Sequence, residues 1–180
     1  MEIFNKQYKF TGVHAQKVDA LTSAFDESKS KFFARNVDVY INAPLIGFLY
    51  GRKAEKDMTK NPATGEVFDQ NVMGDRVIYS QHELLYNFRL ILLLDANYEP
   101  DENKRVDKAF RNMGDDPSDM ELFDSYVRGG VDVLYEKLIE GEKDPANYIN
   151  RLNDFIAEFD ERFNEEINKE EVLKLCYREN

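Results

Sequence analysis

Tryptophan is absent, cysteine occurs once and histidine only twice in the 180 residues. Each scarcity removes a class of chemistry. The lone Cys176 allows no internal disulfide and points to a reducing compartment. Lys174 and Arg178 are near it, but no histidine is arranged to activate it, which argues against a thiolate nucleophile. His14 and His82 are far apart, so a zinc centre would have to draw ligands from distant segments. Both histidines are expected at the surface or half-buried. The patterns G-x-S-x-G, the P-loop and H-E-x-x-H are missing. Long apolar runs are missing too: Leu84–Leu94 has about half the length that spans a bilayer and is broken by Asn87 and Arg89. The start, Met1-Glu-Ile-Phe-Asn-Lys6, has no basic region followed by an apolar one, so it does not read as a secretory leader. These absences describe a cytoplasmic protein without membrane association or cofactor.

Positive charge is also in short supply. Lysine and arginine total 24 against 35 acidic residues, a net charge of −11, which argues against a general phosphate-binding surface. Local basic groups remain at Arg52, Lys53 and Lys56, and at Lys104, Arg105, Lys108 and Arg111 on one short helix. The second group would carry nucleic-acid binding. The acidic excess also fits a surface that mimics DNA. Asp115, Asp116, Asp119, Glu121 and Asp124 cluster as divalent-cation ligands do, and with Asp95 they would make a metal-dependent enzyme. The calcium-loop spacing is not there, and carboxylates in a first helical turn are favoured by the helix dipole alone. Capping is therefore their expected role.

What the chain does have is enough hydrocarbon for one core, with 42% hydrophobic residues and aromatics supplied by 13 Phe and 10 Tyr. The pattern predicts a mainly α, single-domain bundle over residues 1–180, of about six or seven helices. Thr11 caps a helix through Val13–Phe25, with Val13, Lys17 (by its stem), Val18 and Leu21 inward. The run Asn36–Arg52 places Val37, Tyr40, Ile41, Pro44, Leu45, Phe48 and Leu49 on one helix face, with Gly51 at its stop. Pro44 implies either a kink or a helix restarting near Asn42. The alternation of Val37, Val39 and Ile41 also allows a short strand. Tyr8-Lys-Phe10 is a short strand or extended arm, and Asp57–Asp75 is a binding or flexible loop in which Glu66-Val-Phe68 and Arg76–Tyr79 pair as a small hairpin.

Ser80-Gln-His-Glu83 forms a capping box opening a helix to about Asp95 that is apolar all round and hence central. The alternative reading makes Leu92-Leu-Leu-Asp95 a buried strand ending in a catalytic aspartate. Asp101 caps a helix to Met113. Asp116-Pro117, or Ser118 two residues on, opens another that continues through Gly129-Gly130 to Leu138 and stops at Gly141. Asp144-Pro145 opens the last long helix, whose seam of Ile149, Leu152, Ile156, Phe159 and Phe163 is widened by Tyr148 and Phe155. A charged tail follows at 168–180, with Val172, Leu173 and Leu175 as a short docking segment.

Aromatic seams at Phe4/Tyr8/Phe10 and Phe48/Tyr50 are expected in the core. The seam on the last helix is the one placed to continue into a partner or into a second copy of the chain. Arg52, Lys53, Tyr148, Phe155, Phe159 and Phe163 are thus the candidate partner-binding residues, and no catalytic or metal-ligating residue is assigned.

Two short segments carry a resemblance. The run Phe33-Ala-Arg-Asn-Val-Asp-Val-Tyr-Ile-Asn-Ala-Pro-Leu-Ile-Gly-Phe-Leu-Tyr-Gly-Arg52 resembles a helix with a glycine turn and terminal Gly-Arg in small accessory proteins found beside bacterial DNA-phosphorothioation (Dnd-type) defence systems. Leu122-Phe-Asp-Ser-Tyr-Val-Arg-Gly-Gly-Val-Asp-Val-Leu134 is similar to a second segment there, in the same order. The chain departs from that pattern at Pro44 and in the insert Asp57–Asp75. The matching residues are structural, so the resemblance implies no reaction. It implies a small helical accessory protein that works through a protein partner in DNA modification or defence.

Overall fold

The computed structural model describes residues 3–142 and 144–163. In chain order these form β1 (Tyr8–Thr11), α1 (Gly12–Thr22), α2 (Asn36–Leu49), β2 (Asp69–Val72), α3 (Gly74–Tyr79), α4 (Gln81–Leu94), α5 (Glu102–Phe110), α6 (Pro117–Leu138), a 3-10 turn at Pro145–Asn147, and α7 (Tyr148–Phe163). The fold is mainly helical with one small antiparallel strand pair, as expected. The charged tail at 168–180, with Cys176, lies outside the described residues.

Helix α6 forms the centre, and α2 is its principal neighbour. Asp116 accepts from Ser118 N and Pro117 fills the first turn, which settles the start at Asp116. Gly129 and Gly130 do not split the helix; they let a neighbour in. A Cβ on Gly130 would stand 1.8 Å from the carbonyl oxygen of Ala43, and one on Gly47 would stand 2.1 Å from that of Tyr126. The two backbones are therefore in direct contact. The contact is made by the small residues Ala43 and Gly47, beside the buried Val37, Val39, Tyr40 and Pro44; of the face expected inward Leu49 is exposed. The helix runs unbroken through Pro44, so neither a restart nor a strand occurs there.

Three expectations are corrected. Helix α4 is not covered on all sides: Leu84, Asn87, Phe88, Ile91 and Leu92 face the core, whereas Tyr86 and Leu94 are more than half exposed. Ser80 makes no capping bond, because it also ends α3 and its backbone is not extended (φ −100°, ψ 16°). Arg76–Tyr79 is helical, so it cannot pair with Glu66–Phe68; instead Asp69–Val72 pairs with Tyr8–Thr11, Tyr8 opposite Val72 and Thr11 opposite Asp69.

That pairing builds the supposed loop into the fold. Val72 is buried, Thr11 Oγ1 donates to Asp57 O, and Asp57 Oδ1 accepts from Val13 N at 2.7 Å. Asp57 thus caps α1 in place of Thr11, across 44 residues of chain. The inward face of α1 becomes His14, Ala15, Val18 and Leu21, and His14 is buried rather than half-exposed.

We expect Gly130→Ala to destabilise the protein by roughly 2–4 kcal/mol, because backbone on both sides must move and the gain in helix propensity is only about 1 kcal/mol. Urea unfolding checks this; an unchanged midpoint would mean the helices part at no cost.

Candidate functional site

Two concavities border α2. Asn42 and Ile46 line one and Tyr40 the other. Residues two apart on a helix point about 200° from each other, so the two open on different sides of α2.

The first is a groove of about 500 Å³ between α2 and α7, lined by Asn42, Ile46, Phe155, Ile156, Phe159, Asp160 and Phe163. Helix α7 is held there by polar contacts at its edges. Arg151 donates from Nε to Lys137 O at 2.9 Å, and from Nη1 and Nη2 to Glu140 O and Glu136 O, satisfying the open carbonyls at the end of α6. Glu158 pairs with Lys137 at 2.6 Å, and the Lys137 ammonium beside it holds the Glu158 carboxyl below its usual range. No residue of α7 is buried, and Ile149 and Ile156 remain 48% and 57% exposed.

The candidate partner residues separate into three places. Phe155, Phe159 and Phe163 share the groove, with Phe155–Phe159 ring centroids 6.2 Å apart and Phe159–Phe163 4.8 Å. Tyr148 instead packs on Phe25 and Phe32. Arg52 pairs with Glu136, and Lys53 reaches Asp95 at 3.1 Å while lying over the Tyr126 ring.

The residues considered for nucleic-acid binding are largely engaged. Arg105 donates to the carbonyls of Leu93, Glu99 and Pro100, so it ties α5 to the end of α4. Lys108 lies 2.6 Å from the fully buried Asp119 and 2.9 Å from Asp116. Burial opposes its charge, yet the bonds to Asp119 and Asp116 win and raise its pKa. Arg111 pairs with Asp107, and Lys104 is exposed.

Asp95, considered as a catalytic aspartate, ends α4 and accepts from the Tyr126 hydroxyl at 2.7 Å, from Lys53 and from Tyr98 N. Burial pulls its carboxyl up, but these donors hold it below its ordinary value. Among the described residues no group of three or more His, Cys, Asp or Glu is placed to hold a metal ion.

Sequence reasoning missed the second concavity. It measures about 450 Å³ and lies beneath the strap Ile3–Gln7, walled by Phe4, Tyr8, Tyr40 and Met120, with Asp116, Glu121 and Asp124 supplying carboxyls. A smaller cleft of about 140 Å³ adjoins it and shares Tyr8, Glu121 and Asp124. Tyr8 and Tyr40 stack at 4.1 Å. The acidic spacing predicts helix capping for Asp124 with its neighbours, yet it sits about two turns into α6, four residues after Met120 and seven before Val131. A carboxylate on that apolar stripe was the available signal. Along the same side, Asp124, Arg128 and Asp132 follow at intervals of four. Asp132 accepts from Lys17 at 2.8 Å and faces His14 Nε2 at 3.5 Å, while Arg128 donates to Ala54 O and Glu121. Asp124 differs from them: its Oδ1 is buried without a hydrogen-bond partner. Burial raises its pKa from 3.8 to about 7, against the pull of Arg128.

An acid whose folded pKa stands above its unfolded value carries an extra proton in the folded state between the two. Its contribution to stability is full below about pH 4 and is lost as pH rises through about 7. Asp124→Asn, which cannot ionise, should therefore gain on the wild type across that window, by roughly 2–4 kcal/mol at pH 8. Urea unfolding of both proteins at pH 4, 6 and 8 checks it; a constant difference would show that Asp124 titrates normally.

Among the described residues no helix is long and apolar enough to cross a membrane. In comparisons with known proteins, no family model, no curated protein and no solved structure matches the chain.

Proposed function

We propose that the chain is a non-catalytic interaction protein whose groove between α2 and α7 receives an apolar helix of a partner protein, flanked by basic residues. The observation that carries this reading is the state of α7. It is strongly amphipathic over 16 residues, yet it buries none of them and leaves Ile149 and Ile156 in the open. An amphipathic helix ordinarily hides that face. Aromatic side chains lining a groove are the usual anchors of helix-in-groove recognition.

Charge sets the partner's flanks. The exposed Asp154 and Glu161 stand on α7, Asp160 lines the groove, and the whole chain carries −11. Lysine and arginine beside the incoming apolar face would be steered and retained by them. Apart from Asn42 and Asp160 the groove is walled by hydrocarbon and aromatic rings, which suits docking and offers little to a reaction. The resemblance of Phe33–Arg52 and Leu122–Leu134 to accessory proteins of DNA-phosphorothioation systems suggests a partner within a bacterial DNA-modification or defence locus.

The test is affinity capture from the native host after nuclease treatment, with the wild type and Ile156→Glu as paired baits. Ile156 is exposed, so the substitution leaves the fold intact. A protein held by the wild type, and bound at least about tenfold more weakly by Ile156→Glu when purified, is expected. Equal recovery by both baits would sink the groove as the docking site. A wild-type dimer that Ile156→Glu dissolves, seen by light scattering, would replace the partner helix with a second copy of the chain.

A further inference from the structure

Helix α4 turns one face to the core and the other to solvent, and the solvent face is rich in large apolar side chains. Tyr86 stands at its middle, 59% exposed, with Leu90 half-buried four residues on and Leu94 more than half exposed at the end. The face extends backward into α3. Ser80 N donates to Arg76 O and Leu84 N to Ser80 O, so helical hydrogen bonding crosses the junction, and Ile78 and Tyr79 are again more than half exposed. Single exposed apolar residues call for no explanation, but a row of them along two consecutive helices does. The groove draws its lining from α2 and α7, so the two surfaces are separate.

The charged residues on this face are arranged about Tyr86. Glu83 lies three residues before it and Arg89 three after. Both are exposed, and among the described residues neither makes an ion pair or a side-chain hydrogen bond. Offsets of three and four keep residues on one face of a helix. We propose that this face pairs with the same face of a second copy of the chain, the two α4 helices antiparallel about a two-fold axis through Tyr86. Such an axis sets Glu83 against Arg89 of the second copy and Arg89 against its Glu83, one ion pair on each side. The two Tyr86 rings meet at the centre. His82 faces Leu90, and Ile78 and Tyr79 fall opposite Leu94 and Leu93. None of these pairs brings like charges together.

Charge selects this arrangement over the others open to an apolar face. A parallel pairing would oppose Glu83 to Glu83 and Arg89 to Arg89, and like charges set face to face suppress a complex. A surface of one sign, such as an anionic membrane, would attract Arg89 and repel Glu83 on the same face. The second copy answers both. The contact is small: α4 has 14 residues and so runs about 21 Å. Pairing over that length falls at the low end of specific interfaces, and a dissociation constant of roughly 10–100 μM is expected. The dimer carries two grooves between α2 and α7, so a partner with two docking helices would be held by both. That consequence rests on the groove reading; the dimer does not.

Sedimentation velocity of the full chain from about 5 μM to about 500 μM tests the pairing. A monomer–dimer equilibrium is expected. Glu83→Arg or Arg89→Glu alone should weaken it at least about tenfold, since each sets like charges face to face on both sides of the axis. Both positions are exposed, so the variants keep the fold, which circular dichroism checks. The double reversal Glu83→Arg with Arg89→Glu restores each pair with its signs exchanged, and should bring the dimer back to within about threefold of the wild type. Should a reversal fail to fold, Tyr86→Lys, which puts two ammonium groups on the axis, should abolish the dimer. Ile156→Glu should leave it unchanged, which separates this surface from the groove. A chain that stays monomeric at the highest concentration, a dimer indifferent to the folded single variants, a double reversal no better than the singles, or a dimer dissolved by Ile156→Glu would overturn the proposal.

Discussion

The direct contact between the backbones of α2 and α6 is the constraint on which the rest of the molecule depends. Side chains at positions 47 and 130 would keep the two axes apart, and without them carbonyl meets α-carbon. The same contact continues past the end of α2. Arg52 O would lie 2.0 Å from a Cβ on Gly129, so the chain leaving α2 is laid along α6 as well. From there Ala54 N donates to Ser125 O, Ala54 O accepts from Arg128, Lys53 reaches Asp95, and Asp57 caps α1. A proline inside a helix costs about 3 kcal/mol on its own. Pro44 is tolerated here because it is buried beside Ala43 and Gly47, where close packing on α6 is worth more than one hydrogen bond.

The buried acids around α6 show what decides the state of a desolvated carboxyl. Asp95 and Asp132 each have two or more donors within hydrogen-bond range, and both are held below their ordinary pKa although burial pushes the other way. Asp124 has only charges at a distance, and burial prevails. The donors that Asp95 and Asp132 have, and that Asp124 Oδ1 lacks, decide which way each carboxyl moves. A charge–charge attraction through several ångströms is weakened by the effective dielectric, whereas a hydrogen bond to a charged acceptor retains about 1.5–3 kcal/mol. Removing Lys108 would leave the fully buried Asp119 with the Tyr98 hydroxyl at 2.7 Å but without its cation, at a cost of about 3–5 kcal/mol.

Much of the fold was legible because it is local. Asp101 and Asp116 cap the helices they were expected to cap, and a helix continuing through Gly129-Gly130 followed from apolar residues on both sides of the pair. What was not legible is what the chain does at a distance. The strand after Phe68 finds its partner beside Tyr8 rather than in the next residues, and the cap of α1 comes from Asp57. Helix α4 read as central because leucines surround it, but Leu94 ends up exposed. The aromatic row Phe155, Phe159 and Phe163 was visible from helical spacing. Asp124 was hidden, because the same acidic residues that favour a helix start explain it locally, and only the fold shows that the start lies eight residues earlier at Asp116.

The attachment of α7 divides the load between the two sides of an amphipathic helix. Ordinarily the apolar face fixes the helix and the polar face is free to vary. Here Leu152 and Phe155 are only partly buried against the core and Tyr148 lies on Phe25 and Phe32, so the polar edges add to the fixing: Arg151 grips three carbonyls at the end of α6, and Glu158 holds Lys137. Tyr50 bridges the two sets, its hydroxyl 3.3 Å from Glu158 and its ring beneath Arg162 and beside Phe163. A helix secured in this way can leave part of its hydrophobic side, Ile149 and Ile156, open without detaching. A partner helix that seats there would therefore add apolar burial to an interface already oriented, and would not first have to displace α7 from its own core.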